Sequence, residues 1–443
     1  MRIRFWGTRG SLAKPGRTTL RYGGNTSCVE VQTAAGTLIV LDCGTGAHGL
    51  GLALTASGGH PVHGHLMITH THWDHIQGFP FFGPLFVPGN EWDIYAPGGL
   101  GPQLEKVLAG QMECTYFPIT LGQLAATIRY HDLVEGGFAI GDARVVTRYL
   151  NHPALTLGYR LEAGAVAIVY SVDHEPHALH HASSEGAGGP LVHEEDRRHV
   201  EFLAGADLVV HDAQFTIEEY HQKVGWGHTP AESAVDYAVA AGVKRLALTH
   251  HDPLRDDEAV ERLVETCRRR AAAAGSGLEV FAAAEGHVLE LTEHEGLEPR
   301  SASLATAEAP PSESQTVLVA DDDPTVVRLL ALSLAGDGFR VLTANDGETA
   351  LRLARSERPA LILLDWQMPG STGVEVTRAL RSSADPYLRE VPVVLITAQA
   401  GDENTAAGFA AGVTDYLTKP FRPAHVRARV RAWLLRRGPR AGG

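Results

Sequence analysis

The stretch from Ile68 to His75, which reads Ile-Thr-His-Thr-His-Trp-Asp-His, constrains the fold of this chain more than any other feature. His70, His72, Asp74 and His75 lie within six residues, directly after an apolar run that is typical of a buried strand. Imidazole and carboxylate together suit zinc and related transition metals. Alternation along the strand end points His70 and His72 to the same side, and the following turn can bring Asp74 and His75 to a second position. The stretch therefore predicts a metal-binding strand end.

The order His-x-His-x-Asp-His resembles the signature of the metallo-β-lactamase superfamily, and the resemblance covers about the first two-thirds of the chain. It implies an α/β fold, the αββα metallo-β-lactamase sandwich, with a two-metal site at one edge. It also implies ligands in two groups that share one carboxylate: His70, His72 and His152 on the first metal, Asp74, His75 and His250 on the second, and Asp173 as the bridge. Such a set leaves coordination positions open, as a catalytic site requires.

The ligands outside the first stretch each follow a predicted strand. His152 comes directly after one apolar run, and Asp173 ends another. True β-lactamases often carry cysteine at the bridging position, so Asp173 argues against antibiotic hydrolysis. At the end of a later strand, His250 and His251 lie side by side. His250 is the predicted ligand because the strand runs directly into it, and His251 stays open because a shift of one residue reverses the side-chain direction.

Three further positions bear on metal identity and on support of the ligands. Histidine at position 72, where the di-iron branch of the superfamily usually has glutamate, favours two zinc ions and leaves manganese or iron open. Asp42 follows a buried strand, and the resemblance implies that it supports the ligand loop, although an aspartate in a turn explains it equally well. His174 is expected at the rim of the site or behind the ligands.

Two later segments narrow the chemistry. Asp212 ends a predicted strand, and His228 precedes Pro230 at the start of a predicted helix. They resemble motifs of the tRNA 3′-processing endonucleases and related phosphodiesterases, in which an acidic residue orients a histidine that protonates the leaving group. The resemblance implies that Asp212 orients His228 as the general acid, although aspartate in place of glutamate shortens the reach by one methylene. Alternatively, His228 or Thr229 caps the helix, with Pro230 at its first position.

The length of 443 residues exceeds one ordinary core, so the chain should hold two or three domains. Residues 293–315 are rich in Glu, Ser, Ala and Pro without periodicity, which is typical of a flexible linker. The predicted organisation is a hydrolase domain at 1–293, a linker at 294–315 and a second α/β domain at 316–438. The hydrophobic fraction of 44% is typical of globular protein, and no apolar stretch is long enough to cross a membrane. With a strand at the N-terminus and four unpatterned cysteines, we expect a cytoplasmic protein with reduced thiols.

The second domain alternates strands and helices in five βα units, which predicts a doubly wound parallel sheet with its site at the strand ends. The motifs Ala-Asp-Asp-Asp-Pro, Leu-Asp-Trp-Gln-Met-Pro-Gly and Leu-Thr-Lys-Pro-Phe resemble those of response-regulator receiver domains. The resemblance implies phosphorylation at Asp365, a magnesium ion held by Asp321, Asp322 and Asp365, and switch residues Thr397, Tyr416 and Lys419. It also implies a cognate histidine kinase or phosphotransfer protein as partner.

The combined features predict a phosphorylation-regulated dinuclear metallohydrolase that acts on a phosphodiester. In the implied mechanism Asp74 holds a metal-bridged hydroxide that attacks phosphorus, and His228 protonates the departing alkoxide. A formal charge of −14, and the lack of a long Gly/Pro-rich tRNA-binding arm, favour a small phosphodiester such as a cyclic nucleotide. The alternatives are a lactonase or RNase-like hydrolase of the same fold, and a non-enzymatic di-metal sensor coupled to two-component signalling.

The C-terminal segment is rich in arginine, which a solvated last helix explains better than nucleic-acid binding does. No helix-turn-helix follows it in the sequence, so direct binding to DNA is not expected. Homodimer formation is left open.

Overall fold

The computed structural model describes residues 1–56, 58, 61–98, 104–177, 193–292, 315–397, 408, 411–419, 421 and 423–435. The chain divides into two compact units, one made of Met1–Pro190 with Arg198–Ala309 and the other of Leu191–Arg197 with Pro310–Gly443. The predicted linker at 294–315 lies outside the described residues except for Gln315. The predicted domain limits therefore stay predictions.

The first unit contains two seven-stranded sheets. The first sheet has the order β14-β1-β2-β3-β4-β5-β6. Its strands are β1 (Arg2–Gly7), β2 (Cys28–Gln32), β3 (Leu38–Leu41), β4 (His63–Met67), β5 (Glu91–Pro97), β6 (Thr127–Leu133) and β14 (Val288–Glu290). Strands β3, β4, β5 and β6 run parallel to one another, so their carboxyl ends meet at one edge.

The second sheet has the order β13-β12-β11-β10-β9-β8-β7. Its strands are β7 (Gly136–Ile140), β8 (Ala143–Leu150), β9 (Thr156–Ala163), β10 (Val166–Ser171), β11 (Leu208–Asp212), β12 (Arg245–Thr249) and β13 (Glu279–Ala282). Strands β10 to β13 are parallel, and β8 runs in their direction because β9 is antiparallel to both β8 and β10. The carboxyl ends of β8, β10, β11 and β12 consequently share one edge.

The helices of this unit are α1 (Ala47–Ala56), α2 (Trp73–Ile76), α3 (Leu104–Gln111), α4 (Glu194–Leu203, of which the part from Arg198 belongs here), α5 (Ile217–Tyr220), α6 (Ala231–Ala240) and α7 (Asp257–Ala273). Leu66 of β4 and Trp92 of β5 join a buried apolar cluster with Leu50 of α1 and Phe82. Helix α6 packs on β11 and β12, and α7 packs on β13. Burial of such apolar faces fixes the strands, so the polar residues that follow them are held in place. This arrangement is the predicted metallo-β-lactamase sandwich.

The second unit contains a parallel sheet of order β16-β15-β17-β18-β19. Its strands are β15 (Thr316–Ala320), β16 (Arg340–Ala344), β17 (Leu361–Asp365), β18 (Val393–Thr397) and β19 (Asp415–Thr418). Its helices are α8 (Pro324–Ala335), α9 (Gly347–Glu357), α10 (Gly373–Arg381), α11 (Pro386–Glu390) and α12 (Pro423–Leu435). The strand order 2-1-3-4-5 within this sheet confirms the predicted doubly wound fold, whose ligand site lies at the carboxyl ends of the strands.

Two sequence expectations differ from the structure. Strand β7 was not predicted, because Gly136 and Gly137 weaken the strand signal of a short segment. Helix α6 begins at Ala231, with extended Pro230 as its N-cap, so the assignment of Pro230 to the first helical position and of His228 or Thr229 to the cap was wrong. Among the described residues, each helix is too short or too polar to cross a membrane.

Candidate metal centre

The predicted ligands of the first unit come together at the shared edge of the two sheets. Three residues just beyond strand ends adopt left-handed backbone angles: Asp42 at φ 59°, Asp173 at φ 57° and His250 at φ 59°. Such angles are uncommon for residues with a side chain and cost free energy, so they persist where the surrounding structure enforces them. Here Asp173 and His250 belong to the ligand groups, and Asp42 contacts the ligand His75.

The first ligand group contains His70, His72, His152 and Asp173. One donor atom from each of these side chains lies within 4.8 Å of the others. His152 Nε2 is 3.1 Å from His72 Nδ1. Asp173 Oδ2 is 3.4 Å from His70 Nε2 and 3.4 Å from His152 Nε2. Three of the four residues are buried and His72 is exposed, so this group is reached from solvent on the side of His72.

The second ligand group contains Asp74, His75 and His250, all buried. Asp74 Oδ2 is 3.3 Å from His75 Nε2 and 3.1 Å from His250 Nε2. Asp173 Oδ1 is 3.4 Å from His75 Nε2 and 3.0 Å from His250 Nε2. One oxygen of Asp173 thus faces the first group and the other oxygen faces the second, which is the arrangement expected of a bridging carboxylate.

The donor set fits two transition-metal ions. With metal–ligand bonds of about 2.0–2.2 Å, the ligand atoms of a tetrahedral zinc site lie roughly 3.3–3.6 Å apart. The separations of 3.0–3.4 Å at this centre are close to that spacing. Within the described part of the chain, no group makes a hydrogen bond to the buried atoms His70 Nε2, His75 Nε2 or Asp173 Oδ1. Buried polar atoms rarely lack a hydrogen-bond partner, and a cation bound between these three atoms would interact with all of them.

Asp42 orients the second group from behind. Its carboxylate accepts hydrogen bonds from His75 Nδ1 at 2.7 Å, from the Thr69 backbone N–H at 2.7 Å and from the Tyr170 hydroxyl at 3.0 Å. The Thr69 hydroxyl also donates to Asp42 at 3.0 Å and lies 3.1 Å from His70 Nδ1. With Nδ1 of His75 occupied in this way, Nε2 is the atom that faces the centre. Of the two interpretations of Asp42, the structure favours support of the ligands.

A loop before α6 orients the first group. His152 Nδ1 donates to the Gly227 carbonyl at 2.9 Å. Glu175, which is buried, accepts from the backbone N–H groups of Gly225 at 2.6 Å and Gly227 at 2.8 Å and from the Tyr220 hydroxyl at 2.6 Å. Gly227 has a φ of 89°, and a Cβ there would lie 2.2 Å from His152 Nδ1, so glycine is required. Glu175 therefore fixes the loop that holds the ligand.

The segment after β1 supports Asp74 and His250. The backbone N–H of Ser11 donates to Asp74 Oδ2 at 2.7 Å, and Gln214 Nε2 donates to the Ser11 hydroxyl at 3.2 Å. A Cβ on Gly10 would lie 2.3 Å from His250 Nδ1, so the backbone approaches this ligand closely. Side chains from both sheets and backbone from a third segment thereby determine the position of the second group.

Charge in the centre suits ligation. Burial lowers the pKa of His70 and of His152 well below the usual histidine value, so both rings are neutral near pH 7. Burial would raise the pKa of Asp173, but the charges of His250 and His75 outweigh it and hold that pKa well below its usual value. Burial would lower the pKa of His75, but the carboxylates of Asp74 and Asp173 outweigh it and raise the pKa. A bound cation would replace that proton.

His228 lies against both ligand groups. Its ring stacks on His250 at 4.9 Å between centroids and meets the His152 ring edge-on at 5.4 Å. Its Nδ1 donates to Asp212 Oδ2 at 3.0 Å, so the shorter aspartate side chain does reach it. Burial would lower the pKa of His228, but the charges of Asp212 and Asp173 outweigh it and raise the pKa to about 9. Bound cations would oppose that increase.

Asp212 is itself held firmly. Its carboxylate accepts from the backbone N–H groups of Gln214 at 3.1 Å, Thr229 at 3.2 Å and His174 at 3.4 Å. His174 makes this contact through its backbone, so the predicted role of its side chain stays a prediction. His251 turns away from the centre, and its Nε2 donates to the Ala283 carbonyl at 3.0 Å. The structure therefore brings His250, and not His251, to the ligand group.

The candidate site of the second unit lies where β15, β17 and β19 end. Lys419 Nζ donates to Asp321 Oδ2 at 2.7 Å and to Asp365 Oδ1 at 2.6 Å. Burial would lower the pKa of Lys419, but these hydrogen bonds outweigh it and raise the pKa. Asp322 is exposed beside this pair.

The two switch positions lie on the neighbouring strands. Thr397 is buried at the end of β18, and its carbonyl accepts from the Lys419 backbone N–H at 2.7 Å. The Tyr416 ring stacks with Trp366 at 6.3 Å between centroids, and Trp366 is the residue after the predicted phosphorylation site Asp365. The structure thus brings Asp321, Asp365, Thr397 and Lys419 to one end of the sheet, with Asp322 next to Asp321 in sequence and the Tyr416 ring against Trp366.

Sequence reasoning missed four residues that position the first centre: Ser11, Thr69, Tyr170 and Glu175. Thr69 and Glu175 are near the ligand motifs in sequence, at one residue before His70 and two residues after Asp173. Their closeness in sequence to the ligands was the feature that could have identified them as positioning residues. Ser11 and Tyr170 carried none, because their contacts depend on how the sheets come together.

Comparison with known proteins supports both halves of this description. The family model for the beta-lactamase superfamily domain matches residues 37–251, and the model for the response regulator receiver domain matches residues 317–431. MtrA of Mycolicibacterium smegmatis, a DNA-binding response regulator, is 41% identical over 122 residues, which are 28% of this chain and 51% of MtrA. The chain spans about half the length of the curated relatives it matches.

Two solved structures resemble separate parts of the chain. The metallo-beta-lactamase fold protein YhfI of Bacillus subtilis is 17% identical, with a TM-score of 0.44, and the match covers 65% of this chain and 99% of YhfI. The chemotaxis response regulator CheY4 of Vibrio cholerae is 30% identical, with a TM-score of 0.26, and the match covers 27% of this chain and 99% of CheY4. The chain carries a beta-lactamase superfamily domain of metallo-β-lactamase fold in its N-terminal region, followed by a C-terminal response regulator receiver domain.

Proposed function

We propose that the N-terminal domain is a dinuclear metallohydrolase that cleaves a phosphodiester. The observation that carries the proposal is the position of His228, oriented by Asp212 and in ring contact with a member of each ligand group. A metal centre alone serves many reactions of this fold. A buried histidine beside it, with one nitrogen fixed by a carboxylate, is the arrangement that a general acid needs.

The residues of the chain would divide the work as follows. His70, His72 and His152 would hold one ion, Asp74, His75 and His250 the other, and Asp173 both. Two divalent ions bound there would stabilise charge on a phosphoryl group and activate a water molecule at neutral pH.

Asp74 would orient the attacking water, since the N–H of Ser11 and the ring of His250 fix its Oδ2. His228 has Nδ1 bonded to Asp212, so Nε2 is the atom that would protonate the leaving alkoxide.

A small substrate with an aromatic base fits the open side of the centre. Trp73 follows the exposed ligand His72, and 65% of its surface is exposed. An indole beside the metals offers a stacking surface for a nucleobase. The formal charge of −14 disfavours long nucleic acids. These features support a cyclic nucleotide or dinucleotide; a lactonase, an RNase-like enzyme and a non-catalytic di-metal sensor are the competing functions.

A leaving-group comparison tests the role of His228. We expect the zinc- or manganese-loaded protein to hydrolyse bis(p-nitrophenyl) phosphate and a cyclic nucleotide. General acids contribute about 10²–10⁴-fold, so His228→Ala should lower kcat by that factor for the cyclic nucleotide, whose alkoxide needs a proton. It should have little effect with p-nitrophenolate, which leaves without one. His221→Ala, an exposed histidine earlier in the same loop, is the matched control. Equal losses on both substrates would contradict the general-acid role.

Other outcomes separate the alternatives. An absence of turnover on bis(p-nitrophenyl) phosphate, cyclic nucleotides and short RNA, together with lactone hydrolysis, would favour a lactonase. Two redox-active iron ions and no turnover would favour a sensor. Trp73→Ala should raise KM for the cyclic nucleotide while kcat is retained, and an unchanged KM would remove the argument for base stacking.

We propose further that phosphorylation of Asp365 regulates this activity. The carboxylates of Asp321 and Asp365, with exposed Asp322, would hold magnesium, and Lys419 and Thr397 would contact the phosphoryl group. The donor would be a histidine kinase or phosphotransfer protein, and a cytoplasmic location is part of this proposal. Zinc is the proposed metal of the first centre.

Phosphorylation can be measured directly. With acetyl phosphate and magnesium, a Phos-tag gel should show a retarded species that Asp365→Asn abolishes. Asp346→Asn, which keeps a polar N-cap on α9, is the matched control and should leave the shift intact. Persistence of the retarded species in Asp365→Asn would overturn the assignment. Turnover with and without acetyl phosphate then gives the sign of the regulation.

A further inference from the structure

A second cluster of metal-binding side chains lies on the first sheet, away from the centre described above. It consists of His63 and His65 on β4, Asp93 on β5 and His131 on β6. His63 opens β4 seven residues before His70. With a rise of about 3.3 Å per residue, the cluster lies on the order of 20 Å from the first ligand of that centre. These residues have no role in the proposed hydrolysis.

Strand register brings these side chains together on one face. His63 and His65 are two residues apart, so they point to the same side of β4. His65 pairs with Asp93 across the parallel β4–β5 ladder. One nitrogen of His63, one nitrogen of His65 and one oxygen of Asp93 lie within 4.8 Å of one another, and His63 Nε2 is 3.2 Å from Asp93 Oδ2. Three donors of metal-binding type therefore converge.

Asp93 is held for this position by a neighbouring strand. Its Oδ1 accepts from His131 Nε2 at 2.7 Å, which leaves Oδ2 directed toward His63. The closest guanidinium, that of Arg129, is 3.5 Å from Asp93 Oδ2 and makes its shorter bond, at 2.6 Å, to Glu91. Carboxylates that ligate metals are commonly oriented by such an outer hydrogen bond.

The cluster can be reached from solvent. Burial, and then the charge of His63, lower the pKa of His65, so the ring is neutral and available as a ligand near pH 7. The His63 side chain is 58% exposed, so an ion can enter from solvent and keep water in its remaining coordination positions. The Tyr95 ring stacks on His131 at 4.5 Å, which fixes the outer histidine.

We propose that His63, His65 and Asp93 form a separate binding site for a divalent transition-metal ion of the zinc type, with His131 as the positioning residue of Asp93. Two imidazoles and one carboxylate are a ligand set of such ions and disfavour magnesium or calcium, which prefer oxygen ligands. The competing explanation is a hydrogen-bond network in which His63 and His131 both donate to Asp93. That network needs no metal and would leave zinc content independent of His63 and His65.

Zinc stoichiometry of the full chain tests the proposal without reference to activity. After equilibrium dialysis against micromolar free zinc, His63→Ala/His65→Ala should contain one equivalent less than the wild-type chain by mass spectrometry of the metal. His48→Ala/His287→Ala removes two exposed histidines from elsewhere in the domain and should contain as much zinc as wild type. Equal zinc in the test variant and the wild type would overturn the proposal.

A milder variant covers the case in which the double substitution disturbs folding. His63→Ala alone changes a largely exposed side chain and should keep the circular dichroism of the wild type. His131→Ala removes an outer partner and should weaken zinc binding at this site about 10–100-fold, and loss of one of the three ligands should weaken it more. Titration with cobalt(II) reports the same site through its visible ligand-field bands. Unchanged affinity in His63→Ala would contradict the site even if every variant folds.

Discussion

Replacing Asp42 by asparagine removes one negative charge behind the second ligand group and keeps the size of the side chain. Asparagine also tolerates the left-handed backbone at this position, where φ is 59°. Its carbonyl oxygen can still accept from the Thr69 N–H. Its amide group, however, would face His75 Nδ1, which in the native chain donates to Asp42 at 2.7 Å. Two donors would then oppose each other.

The expected effect follows from that single bond. A hydrogen bond to a charged acceptor contributes about 1.5–3 kcal/mol, and the Tyr170 hydroxyl can rotate to accept from the new amide. The loss therefore falls on His75, whose ring is no longer held with Nε2 toward the centre. Loss of such an outer partner typically lowers metal affinity about 10–100-fold, which corresponds to about 1.4–2.7 kcal/mol. The two figures agree in size.

Competition between the protein and a zinc chelator would measure this change. We expect the second zinc equivalent of Asp42→Asn to be released at a 10–100-fold lower chelator concentration, as an order of magnitude, with a smaller effect on the first. Asp142→Asn is the matched control, because Asp142 accepts two hydrogen bonds of 2.6 Å from Thr33 and Thr37 and touches no ligand. Zinc affinity that is the same in Asp42→Asn and in the wild type would refute the reasoning.

Gly227, the pair His199 and His211, and Lys419 each give a further prediction. Gly227→Ala should lower zinc affinity at the first group, because a Cβ would collide with the His152 ring; the chelator titration reports it. His199 and His211 have Nε2 atoms 3.0 Å apart, and burial lowers the pKa of both rings. As the pH falls, the unfolded chain therefore binds protons at these positions before the folded chain does. The free energy of unfolding should decrease as the pH drops through about 6.5. Urea unfolding at several pH values should show a smaller decrease in the free energy of unfolding for His199→Gln/His211→Gln than for the wild type. An identical pH profile in the two proteins would contradict this assignment. Lys419→Gln should slow the reaction with acetyl phosphate in the Phos-tag assay without unfolding the receiver, and retention of the wild-type rate would show that the ammonium is dispensable.

The ligands could be predicted from sequence because each one lies in a short polar segment that follows an apolar run. Runs such as Leu208–Asp212 and Arg245–Thr249 become buried strands, and a polar residue at the end of a parallel strand is carried to the edge of the sheet. The choice between His250 and His251 needed the structure, since only the backbone angle decides which ring turns inward. The hydrogen bond from Tyr170 to Asp42 connects the two sheets, and no local sequence pattern predicts it.

Other features depended on backbone detail that composition does not show. The Pro230 backbone is extended, so α6 starts one residue later than the proline rule indicated. Strand β7 is recognisable only through its pairing with β8, because its two glycines give no strand preference. The roles of His228 and Asp212 came from resemblance, and the structure adds the distance between them.

Gly227 and His228 are consecutive residues, and that adjacency has a mechanical consequence. The carbonyl of the first holds the ring of His152, while the ring of the second lies over the centre with its Nδ1 on Asp212. One peptide thus transmits any displacement of the loop to a ligand and to the proposed proton donor at the same time. An insertion of one residue between them would displace the His152 contact relative to the His228 ring. We therefore expect insertions to be excluded at this peptide, although the flanking loop is exposed at Trp226.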